Sequence, residues 1–198
     1  MSVTAENLIA EKTGAPTLTY AQYLAEGEIN RRYDILNGVR VWMPNPTVRH
    51  QDVLFNIAAV FKAFSRAADM GRMVVAACDV LITYEPLHVR QPDVLFISHT
   101  RFGDRDTLDP SALDPAPELV VEVLSPSDTS GILADKIRDY RRVNVQECWV
   151  VSLGTRTVEV LRLTPEDERS LAVYAEGESV RSEAFPGLVV SVADVFAP

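Results

Sequence analysis

The chain has 198 residues, 47% of them hydrophobic and 24% charged, with a formal net charge of −9. That length accommodates one domain, residues 1–198, with a full hydrophobic core, and the ordinary composition excludes a disordered or fibrous chain. The acidic balance argues against tight nonspecific binding of nucleic acid, which needs a basic face.

Residues 1–17 lack a basic stretch followed by an apolar one, so they read as a loosely ordered arm and not as a secretory signal. No apolar run is long enough to span a bilayer. Cys78 and Cys148 lack CxxC spacing, which excludes a disulfide framework or a zinc knuckle and makes a reduced cytoplasm the expected compartment. Thr19-Tyr20-Ala21-Gln22 is a capping box, predicting a short helix through about Ala25. Tyr33 to Leu36 and Val39 to Met43 flank Asn37-Gly38, the pair that accepts the positive φ angles of a type I′ hairpin turn. Pro44-Asn45-Pro46 stops the second strand. Thr47 can then cap a helix with Val53, Leu54, Ile57, Val60, Phe61 and Phe64 at helical spacing and Gly71 as its end.

Met73 to Ala77 and Asp79 to Thr83 predict two short strands, or one bent at Cys78. Val94 to Ile97 and Leu119 to Leu124 predict central strands, with the Asp- and Pro-rich stretch Phe102 to Pro117 between them as a surface loop. Ser127 or Thr129 can start a helix over Leu133 to Val143. Glu147 to Ser152 and Thr157 to Arg162 predict a strand pair across Gly154. Leu171 to Val190 read as short edge strands, and Val192 to Phe196 as a last helical turn. The order implies a mixed sheet with helices on it, α/β or α+β in class.

Two residues break this pattern. Glu122 interrupts the apolar run Leu119 to Leu124, and Asp93 stands at the head of another in Gln91-Pro92-Asp93-Val94-Leu95-Phe96-Ile97. A desolvated carboxylate is costly unless it is paired or binds a metal. On neighbouring strands the two would offer hard oxygen ligands to Mg²⁺ or Mn²⁺, with the Val123 carbonyl as a third. Lys136, on the following helix, can reach the same place as an electrostatic partner. Tyr140, four residues on, shares its face. Asp79 is a weaker candidate. Ser125 lacks a Gly-x-Ser-x-Gly elbow and reads as a turn residue. Arg138, Arg141 and Arg142 read as a solvated helix face balanced by Asp135 and Asp139, and no basic–aromatic strip for stacking a single strand stands out.

Tyr33-Asp34-x-x-x-Gly38, Met43-Pro44, His50, Gln91-Pro92-Asp93, Glu118 to Pro126, Lys136, Tyr140 and Glu147 to Val151, in that order, resemble the Uma-type (Uma-two) family of restriction-endonuclease-like proteins in the PD-(D/E)XK nuclease superfamily. The resemblance spans about Tyr20 to Arg162. It implies a restriction-endonuclease-like sheet core flanked by helices, with an N-terminal hairpin. It further implies a divalent-metal site hydrolysing nucleic-acid phosphodiesters, with DNA as the expected substrate. In it Asp93 is the motif's aspartate and Glu122 its second acid, and Asp34 and His50 complete the site. Leu124 stands where the superfamily has its usual lysine; the resemblance moves that lysine to Lys136. Asp34 stands where relatives more often carry glutamate.

Leu124 and the acidic charge leave an alternative, a catalytically degenerate binding or dimerisation module, for which exposed edge strands suggest a homodimer. A third reading is a metal-dependent hydrolase of a small phosphoester. An ATP-driven role lacks the Gly-x-x-x-x-Gly-Lys-Ser/Thr stretch it would need.

Overall fold

In a computed structural model of the protein, the described residues are 17–198 except Glu28, Ala77, Leu108, Pro110 and 126–128. Residues 1–16 of the expected arm, the candidate cap Ser127 and the Ala77 end of a predicted strand therefore lie outside the described residues. Helix α1 (Tyr20–Glu26) opens on the capping box: Thr19 accepts from the Gln22 N–H, and Gln22 takes the Thr19 N–H in return. Strands β1 (Tyr33–Leu36) and β2 (Val39–Trp42) form the hairpin, with Asn37 and Gly38 at φ 52° and 80°. Helix α2 (Val48–Ala68) starts from Thr47 and buries Val53, Leu54, Ile57 and Phe61.

α2 ends on Asp69, left-handed at φ 49°, and not at Gly71. Gly71 instead opens β3 (Gly71–Val75), which pairs antiparallel with β6 (Val94–Ser98). The reason for glycine is contact: a Cβ there would lie 2.2 Å from the Ile97 carbonyl oxygen and 2.8 Å from the Phe96 ring. Gly71→Ala is therefore expected to cost roughly 1–3 kcal/mol through overpacking, seen as a lower urea midpoint; an unchanged midpoint would contradict that packing.

The remaining elements are β4 (Val80–Thr83), β5 (His88–Arg90), α3 (His99–Phe102), β7 (Leu119–Leu124), α4 (Ser130–Arg142), β8 (Glu147–Ser152), β9 (Thr157–Leu163), β10 (Glu168–Tyr174), β11 (Ser179–Arg181), β12 (Val189–Ser191) and α5 (Val192–Val195). Six strands make the main sheet in the order β10-β9-β8-β7-β6-β3, parallel only between β7 and β8. A smaller sheet runs β2-β1-β5-β4, and β11-β12 is a separate hairpin. The class is mixed α+β, as the sequence implies. β3 and β4 are thus two strands in different sheets and not one bent strand.

Alternation along the central strands sorts side chains between two cores. Val94, Phe96, Leu119, Val121 and Val123 join Trp149 and Val151 against α2, α5 and the β11-β12 hairpin. Leu95, Ile97, Val120, Cys148 and Val150 face α4, which contributes Ile137 and Tyr140. Glu122 belongs by alternation to that second face, toward α4.

Two expectations need correction, and one strand, β5, was not anticipated. The stretch after Phe102 is not all surface loop, because Ala112, Leu113 and Ala116 are buried and Leu113 bridges to Val80. β11 and β12 are not edge strands of the main sheet; Val180 and Val190 plug its core, and its edges are β10 and β3. β5 has no apolar run to announce it, since two of its three buried residues are His88 and Arg90. Among the described residues no helix is long and apolar enough to cross a membrane.

Candidate functional site

β5 lies in the small sheet and β6 in the large one, so Gln91-Pro92-Asp93 is the crossing between them. Asp93 grips β7 on either side of Glu122: its N–H donates to the Val121 carbonyl at 3.1 Å, and its Oδ2 accepts from the Val123 N–H at 2.7 Å. Val94 pairs with Val121, which sets the two acids just beyond the last rung of the ladder. In an extended strand the N–H and C=O of one residue share an edge, so the Val123 carbonyl projects to the Asp93 side.

α4 supplies the partners of Glu122. The Lys136 ammonium donates to Oε2 at 2.7 Å and the Tyr140 hydroxyl to Oε1 at 2.5 Å. The i, i+4 spacing places one on each carboxylate oxygen. Leu124 packs on the α4-facing core, and the lysine reaches the acid from the helix instead of from the strand.

Arg32, which the sequence reading missed, donates to Asp93 Oδ1 at 2.6 Å and to the Gln91 carbonyl at 3.0 Å. His50 Nε2 is 3.6 Å from the same aspartate oxygen, long for a hydrogen bond. A pocket of about 250 Å³ opens on this cluster, lined by Arg32, His50, Asp93, Glu122, Val123, Ser125 and Lys136 and walled by Met43 to Thr47. A larger cavity of about 730 Å³ contains Asp79 but neither Asp93 nor Glu122. The paired charges line the smaller pocket.

The charges balance locally, two acids against Arg32 and Lys136. Burial alone would raise the Asp93 carboxyl, but His50, Arg32 and Lys136 outweigh it and hold it at about 2. Burial and the Asp93 charge push Glu122 up, with Lys136 pulling it partly back. Burial also works to discharge Lys136, yet the carboxylates of Glu122, Asp34 and Asp93 keep it protonated. The Tyr140 hydroxyl is raised by burial and then by the Glu122 charge, so it remains a donor.

Asp34 does not contact this pair. Its Oδ2 accepts from Arg90 at 2.8 Å and its Oδ1 from the Gln91 N–H at 3.0 Å. Arg90 also binds Asp139 of α4 at 2.7 Å, and His88 approaches Asp139 at 2.9 Å. Asp34 thus belongs to a second buried ion network that fastens β1 and β5 to α4. Asp79 is also internal, accepting from Tyr23, Tyr33 and Gln91. The basic cluster divides: Arg138 pairs with Asp135, whereas Arg141 ties α4 to Thr164, Pro165 and Glu168, and Asp139 is buried.

Could this donor set hold a divalent ion? Among the described residues no group of three or more His, Cys, Asp or Glu side chains is placed to bind one. Magnesium does not need such a cage; it binds through one or two carboxylates, completing its shell with water and phosphate. Asp93, Glu122 and the Val123 carbonyl match that demand. The buried Arg32 Nε and His50 Nδ1 have no hydrogen-bond partner, and both residues line the pocket. Such unpartnered buried nitrogens call for water or an anion such as a phosphate oxygen, while the ion itself would rest on the carboxylates and the carbonyl. The residues fit.

A family model, "Uma2: Putative restriction endonuclease", matches residues 19–193. A crystal structure of a "putative nuclease belonging to DUF820" from Anabaena variabilis superposes with a TM-score of 0.73 at 19% identity, covering 90% of this chain and 97% of that one. At that identity the likeness shows the fold. No curated protein matches the chain.

Proposed function

The chain belongs to the Uma2 family of restriction-endonuclease-like proteins, and from that membership we propose a nuclease that hydrolyses DNA phosphodiesters with Mg²⁺ or Mn²⁺. The observation that carries this is the placement of Asp93 and Glu122 at one pocket beside a protonated lysine. Asp93, Glu122 and the Val123 carbonyl would hold the ion. When bound, such an ion polarises a phosphoryl oxygen and eases deprotonation of water. Lys136 stabilises negative charge accumulating on the phosphate. Tyr140 orients Glu122 through its hydroxyl, and His50 and Arg32 offer N–H donors to the phosphate oxygens.

With Mn²⁺ present, the wild type should cut DNA, and Asp93→Asn should lower the rate on the order of 10²- to 10³-fold. Equal cleavage by the variant, or cleavage insensitive to chelator, would overturn the proposal. Arg32 occupies the carboxylate oxygen a metal would take, so Arg32→Met is expected to tighten Mn²⁺ binding about tenfold, the worth of one charged hydrogen bond. Weaker binding in that variant would contradict a competing role for Arg32.

One observation favours a second reading, a binding module without catalysis. Each carboxylate oxygen of Asp93 and Glu122 already has a donor within the chain. Such a cluster is stable without metal. That reading expects no Mn²⁺ binding in the wild type.

A further inference from the structure

Folding the hairpin assembles a basic–aromatic cluster that the sequence does not display. The two-residue turn sets Tyr33 opposite Trp42 and Ile35 opposite Arg40. Arg40 and Trp42, two apart on β2, therefore share a face with Tyr33. The Arg40 guanidinium lies 4.5 Å from the Tyr33 ring centroid and 5.5 Å from that of Trp42. Arg31 comes from the preceding loop to 4.7 Å over the indole.

Trp42 is nevertheless 44% exposed, whereas the protein's other tryptophan, Trp149, is fully buried. β2 is an edge strand, so the platform faces solvent. It is joined to the pocket through the chain at two points: Met43, the residue after Trp42, begins the pocket wall, and Arg31 precedes the Arg32 that binds Asp93. Arg49, also exposed, follows the far end of that wall. Of these arginines Arg32 lines the pocket itself, and Arg40 is paired with Glu26, which leaves Arg31 as the cation over the indole.

Arginine stems commonly shelter a surface tryptophan, and packing alone would account for the contact. It would not account for its position, with indole and guanidinium beside a pocket of acids, cations and orphaned donors. We propose that Trp42 and Arg31 form a stacking platform for an unpaired base of a nucleic-acid strand whose backbone enters the Asp93–Glu122 pocket. The inference rests on the nuclease reading above and adds the form of its substrate. Bases in a closed duplex offer no free face, so the platform selects a single strand, a flap or a frayed end. The net charge fits this choice, because a local platform needs no broad basic face.

The two tryptophans make the test direct. A short oligothymidylate is titrated into the protein in EDTA, where no metal-dependent cleavage occurs, and intrinsic fluorescence is followed. Saturable quenching is expected, because only Trp42 is accessible to stacking. A blunt duplex should bind more weakly and quench little. Trp42→Leu should lose affinity on the order of tenfold at an unchanged melting temperature, and Trp42→Phe should recover part of it. Binding of the single strand without quenching, or with equal affinity in Trp42→Leu, would overturn the platform. The metal reading is scored separately by Mn²⁺ titration of Trp42→Leu, which should match wild type. Strand binding without any Mn²⁺ binding would retain the platform and sink the nuclease, and neither binding would sink both.

Discussion

Arg90→Met is expected to be the most destabilising single substitution in the molecule, costing about 3–5 kcal/mol at neutral pH. Arg90 is almost wholly buried and holds Asp34 and Asp139 together, at 2.8 and 2.7 Å. Methionine fills similar space but leaves two desolvated carboxylates without their shared cation. The effect depends on pH in a definite direction. Burial would raise the Asp139 carboxyl, but His88 and Arg90 outweigh it and hold it below the ordinary range. A depressed carboxylate contributes stability that is present above its unfolded value and lost as pH falls through the folded one. The deficit in Arg90→Met should therefore be largest near pH 7 and shrink below about pH 4, where carboxylates begin to protonate. Urea denaturation of both proteins at several pH values measures it. A deficit below 1 kcal/mol, or one independent of pH, would contradict this account of the network.

The same network bears on function through α4. Asp139 and Lys136 lie on one side of that helix, three residues apart. Fastening Asp139 to Arg90 fixes the height at which Lys136 and Tyr140 meet Glu122. Asp34 is thus linked to the proposed site through Arg90, Asp139 and the helix, without touching Asp93 or Glu122.

Much of this was legible in the chain. The capping box at Thr19 and the Asn37-Gly38 turn act locally, so their geometry follows from a few residues. Glu122 and Asp93 were visible because a carboxylate in a valine-rich strand needs a reason. The cations answering them were harder to see. Arg31-Arg32 looks like a solvated pair in a loop, and Arg32 becomes partly buried only when the hairpin docks on the crossing segment. A charge count carried signal: buried Asp34, Asp93 and Glu122 require more than Lys136 to balance them. Applied to His88-Val89-Arg90, that count would also have flagged β5, which hydrophobic pattern alone passes over. Gly71 misled because glycine after a helix usually closes it, whereas here glycine is required by the Ile97 carbonyl on the neighbouring strand. The Trp42 cluster could have been found from the turn, since a two-residue loop fixes the Tyr33–Trp42 register.

The proposed metal site stands or falls with Glu122. Glu122→Gln keeps the side chain's shape and can still accept from Lys136 or Tyr140, but it removes the negative charge an ion needs. Glu122→Ala would serve less well, because it strands the buried Lys136 and risks unfolding the protein. Calorimetric titration of Mn²⁺ into the wild type and Glu122→Gln, with melting temperatures recorded for both, is the measurement to make. One saturable site in the wild type, absent from a folded Glu122→Gln, is expected. Undiminished Mn²⁺ binding in Glu122→Gln would show that the ion sits elsewhere, and no binding in the wild type would leave a self-neutralised acid cluster in a binding module.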